Sequence, residues 1–241
     1  MSTPTQNTKI IFTPDDEPYL GRETVCVLDR LILVCLKTNS HIAPRTHKIE
    51  KNDLQWAACQ IIPAGISLTL SIRELVRQGY IYGALVLLRP LAERAITILY
   101  LQKFPDKIDL WTLGWSHKER PNLAKMFNEI AGSKFPNCGP EITRSLNSLI
   151  HGDPASAMWN LVKTGEGSMG HGVSKILDRP DLCDRVCTDA AAWLAVLLGN
   201  DECDFSRTRY YNYRSHSRER VNQRRTCSGE TIQRFRICGP H

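Results

Sequence analysis

The sequence predicts an all-α protein built as an antiparallel helical bundle, and three observations support this. Apolar residues recur in most segments at close to the 3.6-residue period of a helix that buries one face. Asn, Asp, Pro and Gly stand at the ends of these segments, where helix caps and helix stops favour them. Alternating apolar and polar residues, which would indicate strands, are nearly absent. An all-α architecture therefore accounts for the pattern.

Length and composition predict one folded domain with appendages. The chain has 241 residues, 42% of them hydrophobic, which is enough for one substantial core. Residues 1–20 are polar and rich in proline, so they are predicted to form an extended lead and not a secretory signal. Charged residues interrupt the longest apolar stretches, so no membrane span is expected. A cytoplasmic protein without membrane contact is the expectation.

The nine cysteines predict neither a disulfide framework nor a zinc site, because their number is odd and no CxxC pair occurs. Cys183 and Cys187 stand at i, i+4 on one helix face and could supply half of a metal site. No second pair has ligand spacing. Buried thiols in a reducing compartment, with no metal and no cofactor, are therefore expected.

The net charge of +6 is carried by the end of the chain. Residues 1–204 hold 22 Lys and Arg against 23 Asp and Glu, whereas residues 205–241 hold 9 Arg and 2 Glu. The latter segment has too few apolar residues to offset the entropy of ordering. The chain is therefore divided into a lead (1–20), a helical bundle domain (21–204) and a disordered Arg-rich tail (205–241).

The first two helices follow from periodicity and caps. Glu23 to Lys37 has its apolar residues on one face and is predicted to end at a polar loop. Leu54 to Val76 is predicted as the second helix, with Asn52 or Asp53 as its N-cap. Pro63 is expected to kink this helix and Gly79 to mark its end; the bundle therefore begins with two long helices.

Ile81 to Leu101 is the most apolar segment and is predicted to be the central helix of the bundle. Pro90 lies inside it and lacks the N–H that would bond the carbonyl of Val86, so a bend is expected there. A short helical piece after Phe104 is expected to be capped by Asp106.

Three further helices are predicted in the second half. Residues 122–132 follow Pro121 in a first turn, and residues 141–151 are opened by Pro140 and ended by a glycine. Asp153 and Pro154 are predicted to start the next helix, over residues 155–163.

The glycine-rich stretch 164–172 is predicted to be a flexible loop. A last helix is expected to run from Asp178 or Asp181 to Leu198. One apolar stripe lies along it: Leu182, Val186, Ala190, Trp193 and Leu197.

The stretch RSLNSLIHG carries the most specific chemistry. Seven residues are two helical turns, so Arg144 and His151 project to nearly the same side, with Asn147 between them. A histidine can take a proton from a ribose 2′-hydroxyl, and a guanidinium can offset the charge on pentacoordinate phosphorus. That chemistry requires no metal.

This arrangement resembles the signature of the HEPN superfamily, in which an Arg is followed after four to six residues by a His late in a small helical bundle. Six residues separate Arg144 from His151, the outer limit of that spacing. Family members often carry Asn, Asp or His directly after the arginine, where this chain has Ser145.

The resemblance implies a metal-independent endoribonuclease of a toxin or phage-defence system, with a homodimer that brings the Arg and His of two protomers together. It implies cleavage that leaves a cyclic phosphate, and it makes RNA and an antitoxin or other protein the expected partners. Arg144, Asn147 and His151 are then the catalytic residues.

A second resemblance spans roughly residues 55–200. An Arg-Pro-x-x-Glu run, Arg89 to Glu93, followed by a His-Gly corner at His151 is similar to a group of uncharacterised bacterial helical proteins. Arg89 and Glu93 stand at i, i+4 in an apolar helix and are predicted to pair. If Arg89 and Glu93 lay in one pocket with Arg144, Asn147 and His151, that pocket would have the properties of a functional site. Arg89, Glu93 and His171 are the candidate substrate-binding residues.

Several alternatives stay open. A histidine beside a glycine at a helix end often only bonds the last carbonyls, so the Arg and His can be structural. Arg89 and Glu93 can equally form a structural clamp at the Pro90 bend. The alternative function is a non-catalytic helical module that binds a small ligand or a partner protein around Arg89 and Glu93. A third is an RNA-binding accessory that acts through the tail.

Overall fold

The computed structural model describes residues 17–47, 50–116, 120–132, 138–151, 156, 161–165, 167–171 and 175–199. Most of the predicted lead, the whole tail 205–241 and the corner at Asp153 and Pro154 lie outside these residues. The elements in chain order are α1 Glu23–Thr46, α2 Asp53–Arg77, α3 Ile81–Lys103, a 3-10 turn Pro105–Lys107, α4 Ile108–Thr112, α5 Leu123–Ala131, α6 Cys138–Ile150, β1 Leu161–Gly165, β2 Ser168–His171 and α7 Pro180–Leu197. The protein is an all-α helical bundle, as predicted.

Helix α3 is the centre of the bundle, as its apolar composition predicted. It packs against α2, α5, α6 and α7, which explains why its apolar residues are not confined to one stripe. Eleven of its residues are buried, among them Leu85, Leu88, Leu91 and Leu101. Every element that carries a candidate site residue, apart from the hairpin, lies on α3 or packs against it.

Helix α2 begins with the predicted cap. The side chain of Asn52 accepts a hydrogen bond from the N–H of Gln55 at 2.8 Å, and the Gln55 side chain accepts one from the Asn52 N–H at 3.1 Å. This reciprocal pair satisfies two donors that the first turn would leave free. Among the described residues, α2 alone is long and apolar enough to span a membrane. It packs here against α3 and α7.

Helix α1 is longer than predicted, because it continues from Lys37 to Thr46 through the segment expected to be a loop. Most side chains in this extension are exposed, so its polar composition belongs to turns that face solvent. Ser40 and Thr46 donate hydrogen bonds to carbonyls three residues earlier, at 2.7 Å each. Pro44 lies in the last turn, where it removes the one N–H that would donate to the Ser40 carbonyl.

The glycine-rich stretch after α6 forms a hairpin, which the sequence analysis did not predict. β1 and β2 pair antiparallel with Leu161 opposite His171, and the chain turns at Gly165 and Gly167, both with positive φ. Glycine adopts that backbone without strain, and this permits the tight reversal. The predicted helix 155–163 is therefore wrong over residues 161–163, and the predicted loop 164–172 contains a strand.

Several caps also differ from prediction. Asp106 lies inside the 3-10 turn and pairs with Lys107, so it caps no helix. Asn122 caps α5 by accepting from the Lys125 N–H at 2.8 Å, and α6 starts at Cys138, ahead of Pro140. Arg179 precedes α7 without a capping bond from its side chain.

The predicted stripe of α7 is confirmed, because its five residues are buried: Leu182, Val186, Ala190, Trp193 and Leu197.

A charged clamp joins the start of α1 to α7. Arg22 donates through Nε to Asp184 Oδ1 at 2.7 Å and through Nη2 to Oδ2, and Thr24 Oγ1 donates to Oδ1 at 2.6 Å. The bond from Arg22 holds the pKa of Asp184 below its usual value, with Thr24 adding to the effect. The carboxylate is therefore favoured in the folded state.

Replacing Asp184 with asparagine is expected to reduce the pH dependence of stability in acid. The folded-state pKa of Asp184 is lowered, so its contribution is present above the unfolded pKa and is lost as pH falls through the folded value. Because both side chains are partly exposed, we expect a loss of about 1–3 °C in Tm near pH 7. The difference between wild type and Asp184→Asn should shrink as the pH falls through the lowered pKa of Asp184; thermal melts from pH 2.5 to 7 measure it. A difference that persists unchanged at pH 2.5 would contradict this account.

Candidate functional site

The three predicted catalytic residues line one cleft. It has a volume of about 350 Å³, is open to solvent, and lies between α5 and α6. We call it the α6 cleft. Its lining residues are Ala124, Pro140, Thr143, Arg144, Asn147, Ser148 and His151.

The sequence of α6 places these side chains in the cleft. Ile142 and Leu146 are buried on the core-facing side of the helix, so the residues offset by one or two positions face outward. At its start, α6 touches α5 directly, where the Gly139 N–H donates to Asn128 Oδ1 at 3.1 Å. The floor and walls of the cleft are thus set by the packing of two helices.

The charged and titratable groups of the α6 cleft are available to a ligand. Arg144 and His151 are exposed, and neither side chain has a hydrogen bond or ion pair with any other residue that the structure describes. The backbone N–H of His151 donates to the Asn147 carbonyl at 3.0 Å, which fixes the end of the helix. A cation and an imidazole therefore line the same open cleft, and no residue in the described ranges bonds either side chain.

The side-chain amide of Asn147 has a buried oxygen at the wall of the α6 cleft. Among the described residues, its Oδ1 is buried and has no hydrogen-bond partner. Thr143, one turn earlier, has a buried Oγ1 that is likewise unpartnered. Buried polar groups without partners are uncommon in folded proteins because each costs desolvation free energy. The wall of the α6 cleft therefore carries a cost that packing alone does not explain.

Replacing Thr143 with valine is expected to leave the free energy of unfolding unchanged or to raise it by up to about 1 kcal/mol, because it removes a desolvated hydroxyl at constant shape. The matched control is Thr69→Val. Thr69 is buried and its Oγ1 donates to the Gly65 carbonyl at 3.0 Å, so this change should cost about 0.5–1.5 kcal/mol. Urea denaturation of both variants measures the difference. Equal losses would show that the Thr143 hydroxyl has a partner in solution.

Arg89 and Glu93 form the predicted pair. Arg89 Nε and Nη2 donate to Glu93 Oε1 at 3.0 and 2.9 Å, while Arg89 Nη1 is buried without a partner. The structural clamp at Pro90 takes another form, because it is Arg94 whose Nη1 donates to the Pro90 carbonyl, at 3.0 Å.

The five residues expected in one pocket are divided. Glu93 lines a second cleft of about 360 Å³, which we call the α3 cleft. Its lining residues are Gln60, Ile61, Ala64, Glu93, Arg94, Thr97, Trp111 and Arg120. Neither Arg89 nor Glu93 lines the α6 cleft. His171 is exposed at the end of β2 and lines neither cleft.

A larger cavity, about 710 Å³, lies between α1 and α2 and contains none of the predicted site residues. Its described lining includes neither an acidic residue nor a histidine, so it offers no acid–base pair. The volume of a cavity therefore does not indicate which cavity of this chain holds acid–base residues.

The described residues include no group of three or more His, Cys, Asp or Glu side chains that could hold a metal ion. Cys183 and Cys187 are both buried. A hydrogen bond between the two thiols lowers the pKa of Cys183 and, together with burial, raises that of Cys187. The pair is therefore part of the core of α7.

Sequence reasoning missed Thr143 in the α6 cleft and Arg94 and Arg120 in the α3 cleft as lining residues. Thr143 carried a signal, because it stands at i−4 from Asn147 and so shares its face. Arg120 carried none, since it lies in a connection between helices.

Comparison with known protein families gives a match over part of the chain. Residues 55–152 match the model of a family of unknown function, DUF5677. The matched segment runs from the first turn of α2 to the residue after His151, and so includes the Arg89 to Glu93 run and the whole catalytic candidate set. No curated protein and no solved structure matches the chain. Over α2 to α6, this chain is similar to a family whose function is unknown.

Proposed function

We propose that this protein is a HEPN-like, metal-independent endoribonuclease of a toxin or phage-defence system, acting in the cytoplasm. One observation carries the proposal: Arg144, Asn147 and His151 line a single open cleft, and neither the guanidinium nor the imidazole is bonded to another described residue. Structural uses of these residues would be expected to leave them paired or covered.

The proposed reaction uses the ribose as its own nucleophile. His151 accepts the proton of a 2′-hydroxyl, and the 2′-oxygen then attacks the adjacent phosphorus as the bond to the 5′-oxygen breaks. Arg144 offsets the negative charge on the pentacoordinate phosphorus, and the Nδ2 of Asn147 donates to a phosphate oxygen. The products are a 2′,3′-cyclic phosphate and a 5′-hydroxyl.

The leaving 5′-oxygen needs a proton, and one cleft holds one histidine. A homodimer that joins two α6 clefts would supply the partner's imidazole as the acid, while His151 acts as the base. In this arrangement an antitoxin would act by covering the cleft or by separating the protomers.

The test is RNA cleavage by the purified full-length chain in the presence of EDTA. We expect single-stranded RNA to be cut and the same sequence in DNA to remain intact, because DNA lacks the 2′-hydroxyl. The new 3′ ends should resist ligation by enzymes that require a 3′-hydroxyl until the cyclic phosphate is opened and the resulting phosphate is removed. Cleavage of DNA, or activity that EDTA abolishes, would exclude this chemistry.

A further inference from the structure

The α3 cleft has the properties of a second ligand site, independent of the α6 cleft. We propose that it binds a nucleoside 5′-monophosphate, either free or at the end of a nucleic acid chain. It is formed by side chains from α2, α3 and α4 and by Arg120, and its lining differs completely from that of the α6 cleft. The inference does not depend on the proposed ribonuclease activity.

The charges of the α3 cleft favour an anion. Glu93 is already neutralised, because two N–H groups of Arg89 bond its Oε1 at 2.9 and 3.0 Å. Arg94 and Arg120 remain, and within the described ranges neither has a carboxylate partner. Arg94 donates a hydrogen bond from Nη1 to the Pro90 carbonyl, and this bond holds its guanidinium in place. Its Nε and Nη2 are left to bond a ligand. Two such groups at one cleft suit a phosphate dianion.

The remaining lining favours a planar base. Trp111 is partly buried in the cleft wall and offers an indole, while Ile61 and Ala64 add apolar surface. Aromatic side chains stack on nucleobases with useful free energy and little preference for sequence. The Gln60 amide and the second oxygen of Glu93, which no described residue bonds, can pair with base edges or ribose hydroxyls.

Size narrows the ligand further. A volume of about 360 Å³ is at the lower end of small-molecule sites. It accommodates one nucleotide and excludes a folded nucleic acid. The cleft offers two arginines for a phosphate, an indole for stacking, and polar groups for the edge of a base. Together they indicate a mononucleotide, free or at the end of a chain.

The experiment is isothermal titration calorimetry on full-length protein carrying His151→Ala, so that nuclease activity cannot interfere. The probes are adenosine and uridine 5′-monophosphate, with adenosine, ribose 5-phosphate and inorganic phosphate as partial ligands. We expect at least one mononucleotide to bind, and each of its partial ligands to bind at least tenfold more weakly. A 5′-phosphorylated trinucleotide is the last probe, and its affinity relative to the mononucleotide tells a free nucleotide from a chain end.

The variants are Arg94→Gln, Arg120→Gln and Trp111→Leu, each expected to weaken binding at least tenfold. Matched controls are Arg30→Gln and Trp56→Leu, which replace exposed residues outside the α3 cleft and should bind as the parent does. Arg120 is exposed, so Arg120→Gln keeps the test valid if Trp111→Leu fails to fold. Absence of binding by both mononucleotides, equal affinity for adenosine, or unchanged binding in Arg120→Gln would overturn the proposal. None of these results bears on RNA cleavage.

Discussion

Replacing His151 with alanine is expected to lower the rate of RNA cleavage at least about 100-fold, because a positioned general acid or base contributes roughly 10²–10⁴ to such reactions. His151 is exposed at the end of α6, so the melting temperature should change little. Single-turnover cleavage of a labelled RNA in EDTA measures the rate, and a thermal melt of the same sample establishes that the variant is folded.

The matched control for this experiment is His41→Ala. His41 is an exposed histidine on α1 and does not line the α6 cleft. It should cut RNA at the wild-type rate. If His151→Ala retained full activity, the proposed role of His151 would be removed, and a contaminating nuclease would be the first explanation. Equal loss of activity in both variants would also remove that role, because the loss would not be specific to His151.

Replacing Gly139 with alanine is expected to destabilise the protein by about 2–3 kcal/mol, toward the upper end for overpacked sites. A Cβ at this position would lie 2.4 Å from the backbone oxygen of Ala124 and 2.7 Å from Asn128 Oδ1. A backbone oxygen inside α5 cannot move without moving its helix. The two helices would therefore separate, and urea denaturation should show the loss.

Gly83→Ala is the control for Gly139→Ala. Gly83 lies inside α3, and a Cβ there would come no closer than 3.4 Å to a side-chain atom of Leu75. Alanine is the better helix former, so this variant should be unchanged or more stable by up to about 1 kcal/mol. Because α5 and α6 form the walls of the α6 cleft, Gly139→Ala should also reduce RNA cleavage. A Gly139→Ala protein as stable as Gly83→Ala would show that α5 and α6 are not in this contact.

The long helices could be predicted from the sequence because each carries its own local signals. α2 has an apolar face and a reciprocal N-cap, and the composition of α3 showed that it is buried on several sides. The end of α1 could not be predicted, because a polar helical turn on the surface and a polar loop have the same composition. The hairpin was missed for a related reason, since its strands are short and its turn is dominated by glycine.

The α6 cleft could be predicted to the extent that it depends on one helix. Arg144, Asn147 and His151 share a face through their spacing alone, and that spacing is in the sequence. Whether Arg89 and Glu93 join them depends on how α3 is rotated against α6, and on which neighbours cover each side. Packing between helices decides this, so it could not be predicted from the sequence alone. The contributions of Trp111 and Arg120 to the α3 cleft have the same origin.

The candidate catalytic side chains contribute almost nothing to the core. Arg144 and His151 are exposed, whereas Leu146 on the opposite side of the same helix is completely buried. A single substitution at either polar position should therefore leave the fold intact. In the homodimer proposed above, such variant chains would still pair with wild-type chains, and in a cell that carries both they would act as dominant inhibitors.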